Sequence, residues 1–172
     1  MKLKILSDNG KLTSHSINKA SFFDAKLSNS VGYIGTASKE ENALNIFRAY
    51  FSDAKVILLD ESNKTIVQRV EQLSVKKFGS DEQIKTVFSE QNFSFLYFTS
   101  GSTGVPVGAL KTKAHIESEV AVLTKLLSSY EIKRVVVTVP FIHLYEKKDL
   151  NSSLFVSSTA PLDAKSAKAL SR

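Results

Sequence analysis

Two hydrophobic periods take turns along this chain, and that alternation limits the folds open to it more than any other feature. Residues 31–35 (VGYIG) form a short apolar run, and a helical stripe of Ala43, Leu44, Phe47, Tyr50 and Phe51 follows. Lys55 to Leu59 (KVILL) is a continuous apolar run of the kind buried on both faces of a parallel sheet. The next stripe is Ile66, Val67, Val70 and Leu73, after which Phe93 to Phe98 reads as strand and Gly108 to Lys111 as a short strand. Residues 113–130 read as a long amphipathic helix with Ile116, Val120, Leu123 and Leu127 inward, and Arg134 to Val139 returns as strand. Strands alternating with helices predict an α/β fold, a layered and mostly parallel sheet with flanking helices joined by right-handed crossovers.

Local signals set several boundaries. Ser38-Lys39-Glu40-Glu41 is a capping box, because the Ser hydroxyl can accept the backbone N–H three residues on while Glu41 reaches back. Ser80-Asp81-Glu82-Gln83 is read the same way, opening a short helix through Ile84, Val87 and Phe88. From Ser14, the spacing of Ile17, Ala20, Phe23 and Leu27 predicts a further helix. Beyond Pro140 the pattern loses regularity.

Composition enters as a set of exclusions. With 172 residues, a compact fold buries about 68–70% of its unfolded surface, enough for one ordinary core or two small ones. The chain has no Cys, which excludes a disulfide scaffold and a zinc-thiolate site. No apolar run approaches the ~20 residues of a membrane span, and MKLKILSDNG lacks the apolar block of a secretory signal, so a cytoplasmic setting is expected. Lys plus Arg number 23 against 17 Asp plus Glu, a net +6. These charges are dispersed, and aromatics do not interleave with them, so a nucleic-acid partner is not expected.

One segment carries chemistry. Thr99-Ser100-Gly101-Ser102-Thr103-Gly104 follows the strand Phe93 to Phe98 directly. Its two glycines allow close approach of a ligand to the backbone, and its four hydroxyls offer donors without charge, so such a loop can wrap phosphate oxygens. It is not the Gly-x-x-x-x-Gly-Lys loop, since Pro106 and Ala109 stand five residues after Gly101 and Gly104, and no two of its glycines are one residue apart. By composition alone, a flexible surface loop is the competing reading.

The order of residues points further. Phe98-Thr99-Ser100-Gly101-Ser102-Thr103-Gly104-x-Pro106-x-Gly108 resembles the phosphate-loop signature of the adenylate-forming superfamily, which includes acyl-CoA synthetases, peptide-synthetase adenylation domains and luciferases. Residues 137–145 (VTVPFIHLY) resemble that family's strand, proline and histidine segment, where the His borders the acyl pocket; a structural role for His143 is the competing reading. Residues 154–162 (LFVSSTAPL) resemble the strand and small-residue turn that packs on adenine and acyl group, with Ser158, Thr159, Ala160 and Pro161 the matched turn. An ordinary Ser/Pro turn competes with it.

The resemblance implies residues 1–139 as a nucleotide-binding-like core and residues 140–172 as a shortened remnant of the acyl- and adenine-binding region. It also implies ATP and Mg²⁺ as cofactors, a carboxylic acid as substrate, and CoA or an acyl carrier protein as the thiol acceptor, within fatty acid metabolism. Residues 99–104 would hold the ATP phosphates, and no residue of this chain is expected to act as a catalytic nucleophile or a metal ligand. Two departures qualify the expectation. Val107 stands where family members usually carry Lys, and the family's Mg-binding Glu, ribose-binding Asp and C-terminal Lys have no counterpart before Arg172. The match is therefore to the N-terminal portion of the family's large domain, from a deletion variant, a split gene product or a fusion of two family segments, incomplete for adenylation on its own. A truncated sheet would also expose apolar surface and favour self-association. The alternative function is a non-catalytic ATP or pyrophosphate binder, or an interaction module.

Overall fold

A computed structural model of the chain describes residues 1–7, 9–35, 38–80, 85–99, 107–128, 130, 134–137 and 154–157. In chain order these give β1 (Lys2–Leu6), β2 (Leu12–Ser16), α1 (Lys19–Phe22), a 3-10 turn (Ala25–Leu27), β3 (Val31–Ile34), α2 (Lys39–Phe51), β4 (Lys55–Leu58) and α3 (Lys64–Gln72). They continue with β5 (Lys76–Lys77), β6 (Phe95–Thr99), β7 (Val107–Lys111), α4 (Lys113–Ser128), β8 (Arg134–Val137) and β9 (Leu154–Ser157). The strands form two sheets. One has the order β5-β3-β4-β6-β7 and is parallel except for the β6–β7 pair; the other, β2-β1-β9-β8, is antiparallel throughout. The fold is thus α/β with a mostly parallel five-stranded sheet, and among the described residues no helix is long and apolar enough to cross a membrane.

Period-two alternation along the central strands builds two cores, one on each face of the parallel sheet. Val56 and Leu58 of β4 join Ile34, Phe95, Ala49 and Ile46 on the face covered by α2, while Ile57 and Leu59 join Tyr33, Leu96, Val70 and Ile66 on the face covered by α3. Topology explains why the helices separate. From β4 the chain must return past β3 to reach β5, so its crossover runs opposite to the one from β3 to β4, and crossovers of one hand then lie on opposite faces. Val56 to Leu59 are apolar without interruption because both faces of this strand are covered.

The N-cap half of the capping box expected at α2 is formed, Ser38 Oγ accepting the Glu41 N–H at 3.2 Å with Glu40 and Glu41 in the first turn. Ser38→Ala should therefore cost about 1 kcal/mol, read as a fall of about 2–4 °C in Tm, with the restoring variant Ser38→Asp recovering most of it. An unchanged Tm in Ser38→Ala would mean that the cap is not formed.

Four expectations are corrected. The stretch from Ser14 to Leu27 is not one helix: Leu12–Ser16 is an edge strand, Asn18 and Asp24 each cap a separate short turn with their side chains, and Phe23 between them is extended. Local side-chain acceptors here outcompete continuation of the helix. Residues 87–90 form turns, because Thr86 and Ser89 bond the nearby backbone N–H groups themselves; residues 81–84 lie outside the described set. In α4, Leu123 is 54% exposed rather than inward; the helix is held by its first half, through Ile116 against the core and Lys111 and Lys113 pairing with Glu119 and Asp53. Finally, β8 pairs with β9 rather than extending the parallel sheet.

The second sheet begins with the hairpin of β1 and β2, closed through Asn9 and Gly10, whose φ of +78° is the left-handed conformation that glycine adopts without strain. Leu3, Ile5 and Ile17 are buried with Ala43, Phe47 and Phe51 of α2, so α2 is packed between the parallel sheet and this hairpin. This is why its stripe is wider than one sheet face requires.

Candidate functional site

Three neighbouring parallel strands, β3, β4 and β6, end at one edge of the sheet, at Ile34, Leu58 and Thr99. There β3 passes to α2 on one face and β4 to α3 on the other. In open α/β sheets the crevice between strand ends that part in this way is where ligands bind. Gly35 draws the ends of β3 and β4 together: the Leu59 N–H donates to the Ile34 carbonyl at 3.0 Å. A Cβ on Gly35 would lie 2.7 Å from Leu59 Cδ1, with the Leu59 carbonyl oxygen nearer still.

The rim of this edge is polar, and its groups are oriented by local hydrogen bonds. Asp60 Oδ1 accepts the Ser62 N–H at 2.8 Å, and Asn63 Oδ1 accepts the Ile66 N–H at 3.2 Å as the cap of α3. Glu61 lies 3.5 Å from the ammonium of Lys77. Both α2 and α3 start at this edge, so the positive ends of two helix dipoles face it. Glu40 and Glu41 offset that of α2, whereas the first turn of α3 has no acidic residue.

Thr99 is the last residue of β6 and pairs with Val107 of β7, so the candidate loop joins two antiparallel strands at this edge. Asp60 and Thr99 each stand two residues beyond the paired Leu58 and Tyr97. Of the residues singled out in the sequence, Thr99 alone has a described backbone; Ser100, Gly101, Ser102, Thr103, Gly104, His143, Ser158, Thr159, Ala160 and Pro161 lie outside the described residues. Asp60, Ser62 and Asn63 were not among the sequence candidates. Their signal was available, since polar residues directly after a doubly buried strand occupy the ligand edge of such a sheet.

Among the described residues no group of three or more His, Asp or Glu side chains gathers to cage a metal. The carboxylates at this edge include Asp60 and Glu61 after β4, and a magnesium ion held mainly by substrate phosphates needs only one or two protein carboxylates. His15 lies on β2. Its Nε2 is 2.7 Å from Oε1 of Glu40, tying the hairpin to the first turn of α2. His115 is exposed on α4.

Tyr33, Tyr50 and Tyr97 hold their protons at neutral pH. Burial, and then the hydrogen bond to Glu71, pushes the Tyr33 hydroxyl up to about 12, and burial with the nearby charge of Glu119 does the same for Tyr97. Burial and Glu117 raise Tyr50 as well. In the native state these groups hold protons that the unfolded chain releases near pH 10, so stability is complete below about pH 10 and falls as pH rises toward about 12. Phenolate absorbance should accordingly rise late and together with unfolding, and Tyr33→Phe with Tyr97→Phe should flatten the alkaline loss of stability. An equally steep loss in the double variant would contradict the assignment.

Compared with known proteins, the chain matches no family model, no curated protein and no solved structure.

Proposed function

We propose that the chain binds ATP through residues 99–104 and is a module of an adenylate-forming ligase that activates a carboxylic acid. One observation carries the reading. The signature from Phe98 to Gly108 starts on the last residues of β6, at the sheet edge where α2 and α3 both begin. A hydroxyl-rich and glycine-rich loop leaving a strand at that edge has the chemistry to surround phosphate oxygens with N–H and O–H donors.

In the proposed reaction a carboxylate oxygen attacks the α-phosphorus of ATP, the bond to the β-phosphate bridging oxygen breaks, and pyrophosphate leaves; a thiol, of CoA or a carrier protein, then takes the acyl group from AMP. Magnesium supplies charge neutralisation on the phosphates when bound. Positioning and charge stabilisation are the protein's main contributions to such a transfer. Thr99, Ser100, Ser102 and Thr103 would hold the leaving pyrophosphate, Gly101 and Gly104 would let the backbone approach it, and His143 with residues 158–161 would border the acyl group and adenine. Val107 puts no ammonium beside the phosphates, so affinity for ATP is expected to be modest.

Two measurements test the reading. Backbone NMR shifts on adding Mg-ATP should centre on residues 99–108 and the rim from Asp60 to Asn63, and Gly101→Val should abolish them while leaving the remaining spectrum unchanged. Carboxylate-dependent exchange of labelled pyrophosphate into ATP should appear with this chain, or on mixing it with a region carrying the family's Mg-binding Glu, ribose-binding Asp and C-terminal Lys. Shifts without exchange in either setting would leave a non-catalytic nucleotide binder, and the absence of both would overturn the proposal.

A further inference from the structure

We draw no further inference here: the strongest candidate, the exposed apolar stripe of Val122, Leu123 and Leu126 along the C-terminal half of α4, carries nothing because nothing in the structure shows what covers it.

Discussion

Ile57→Ala should lower the stability of the folded chain by about 2–5 kcal/mol, a fall on the order of 5 to 20 °C in Tm. Ile57 is fully buried in the middle of β4, the central strand of five, and packs with Tyr33, Leu59, Val70, Val75 and Leu96. Removing three carbons there loses their transfer free energy and leaves a cavity that strands bonded on both sides cannot collapse to fill. Ile57→Val, which removes one carbon, should cost only about 0.5–1.5 kcal/mol. Since whole domains are stable by roughly 5–15 kcal/mol, the alanine variant stands near the threshold of folding. Chemical denaturation of both variants checks the assignment. A loss below 1 kcal/mol in Ile57→Ala would mean that this face of β4 is not a packed core.

Gly35→Ala is expected to cost about 1–3 kcal/mol or more for the opposite reason, because atoms are added where there is no room. The neighbours of the added methyl are the carbonyl oxygen and Cδ1 of Leu59. The Leu59 N–H, bonded to the Ile34 carbonyl, holds the Leu59 backbone close against Gly35. Relief requires β3 and β4 to part at their carboxyl ends, at the rim of the candidate site. Gly108→Ala on β7 is the control: the nearest atom to its added methyl is Leu96 Cδ2 at 3.7 Å, an ordinary contact, so its change should stay within about 1 kcal/mol. Equal stabilities for the two variants would show that the ends of β3 and β4 are not closely apposed. If the proposed site is correct, Gly35→Ala should also weaken Mg-ATP shifts along residues 60–63.

Elements whose signals are local were legible in the chain. The Ser38 box starts α2, the run KVILL is a strand covered on both faces, and the stripe from Ile66 to Val70 buries α3. Reading failed where a local pattern suited two structures. Ile17, Ala20, Phe23 and Leu27 have helical spacing, yet Ile17 is buried with the hairpin and Leu27 with the parallel sheet's core. The edge strand β2, LTSHS, has too little apolar content to announce itself, and the turn residues Asn9 and Gly10 were its best clue. The candidate loop was recognised from residue order alone. The rim residues Asp60, Ser62 and Asn63 acquire interest only once β4 and β6 are seen to be neighbours.

By itself, the sequence determined the alternation of elements, because burial on one face or two imposes a period that can be counted along the chain. Tertiary structure alone decided which strands pair: β7 turns back on β6, β5 reaches past β4 to β3, and β8 and β9 join β1 in a second sheet. The physical reason is that hydrophobic patterning records how deeply a residue is buried but not against what, while pairing depends on contacts between segments far apart in the chain.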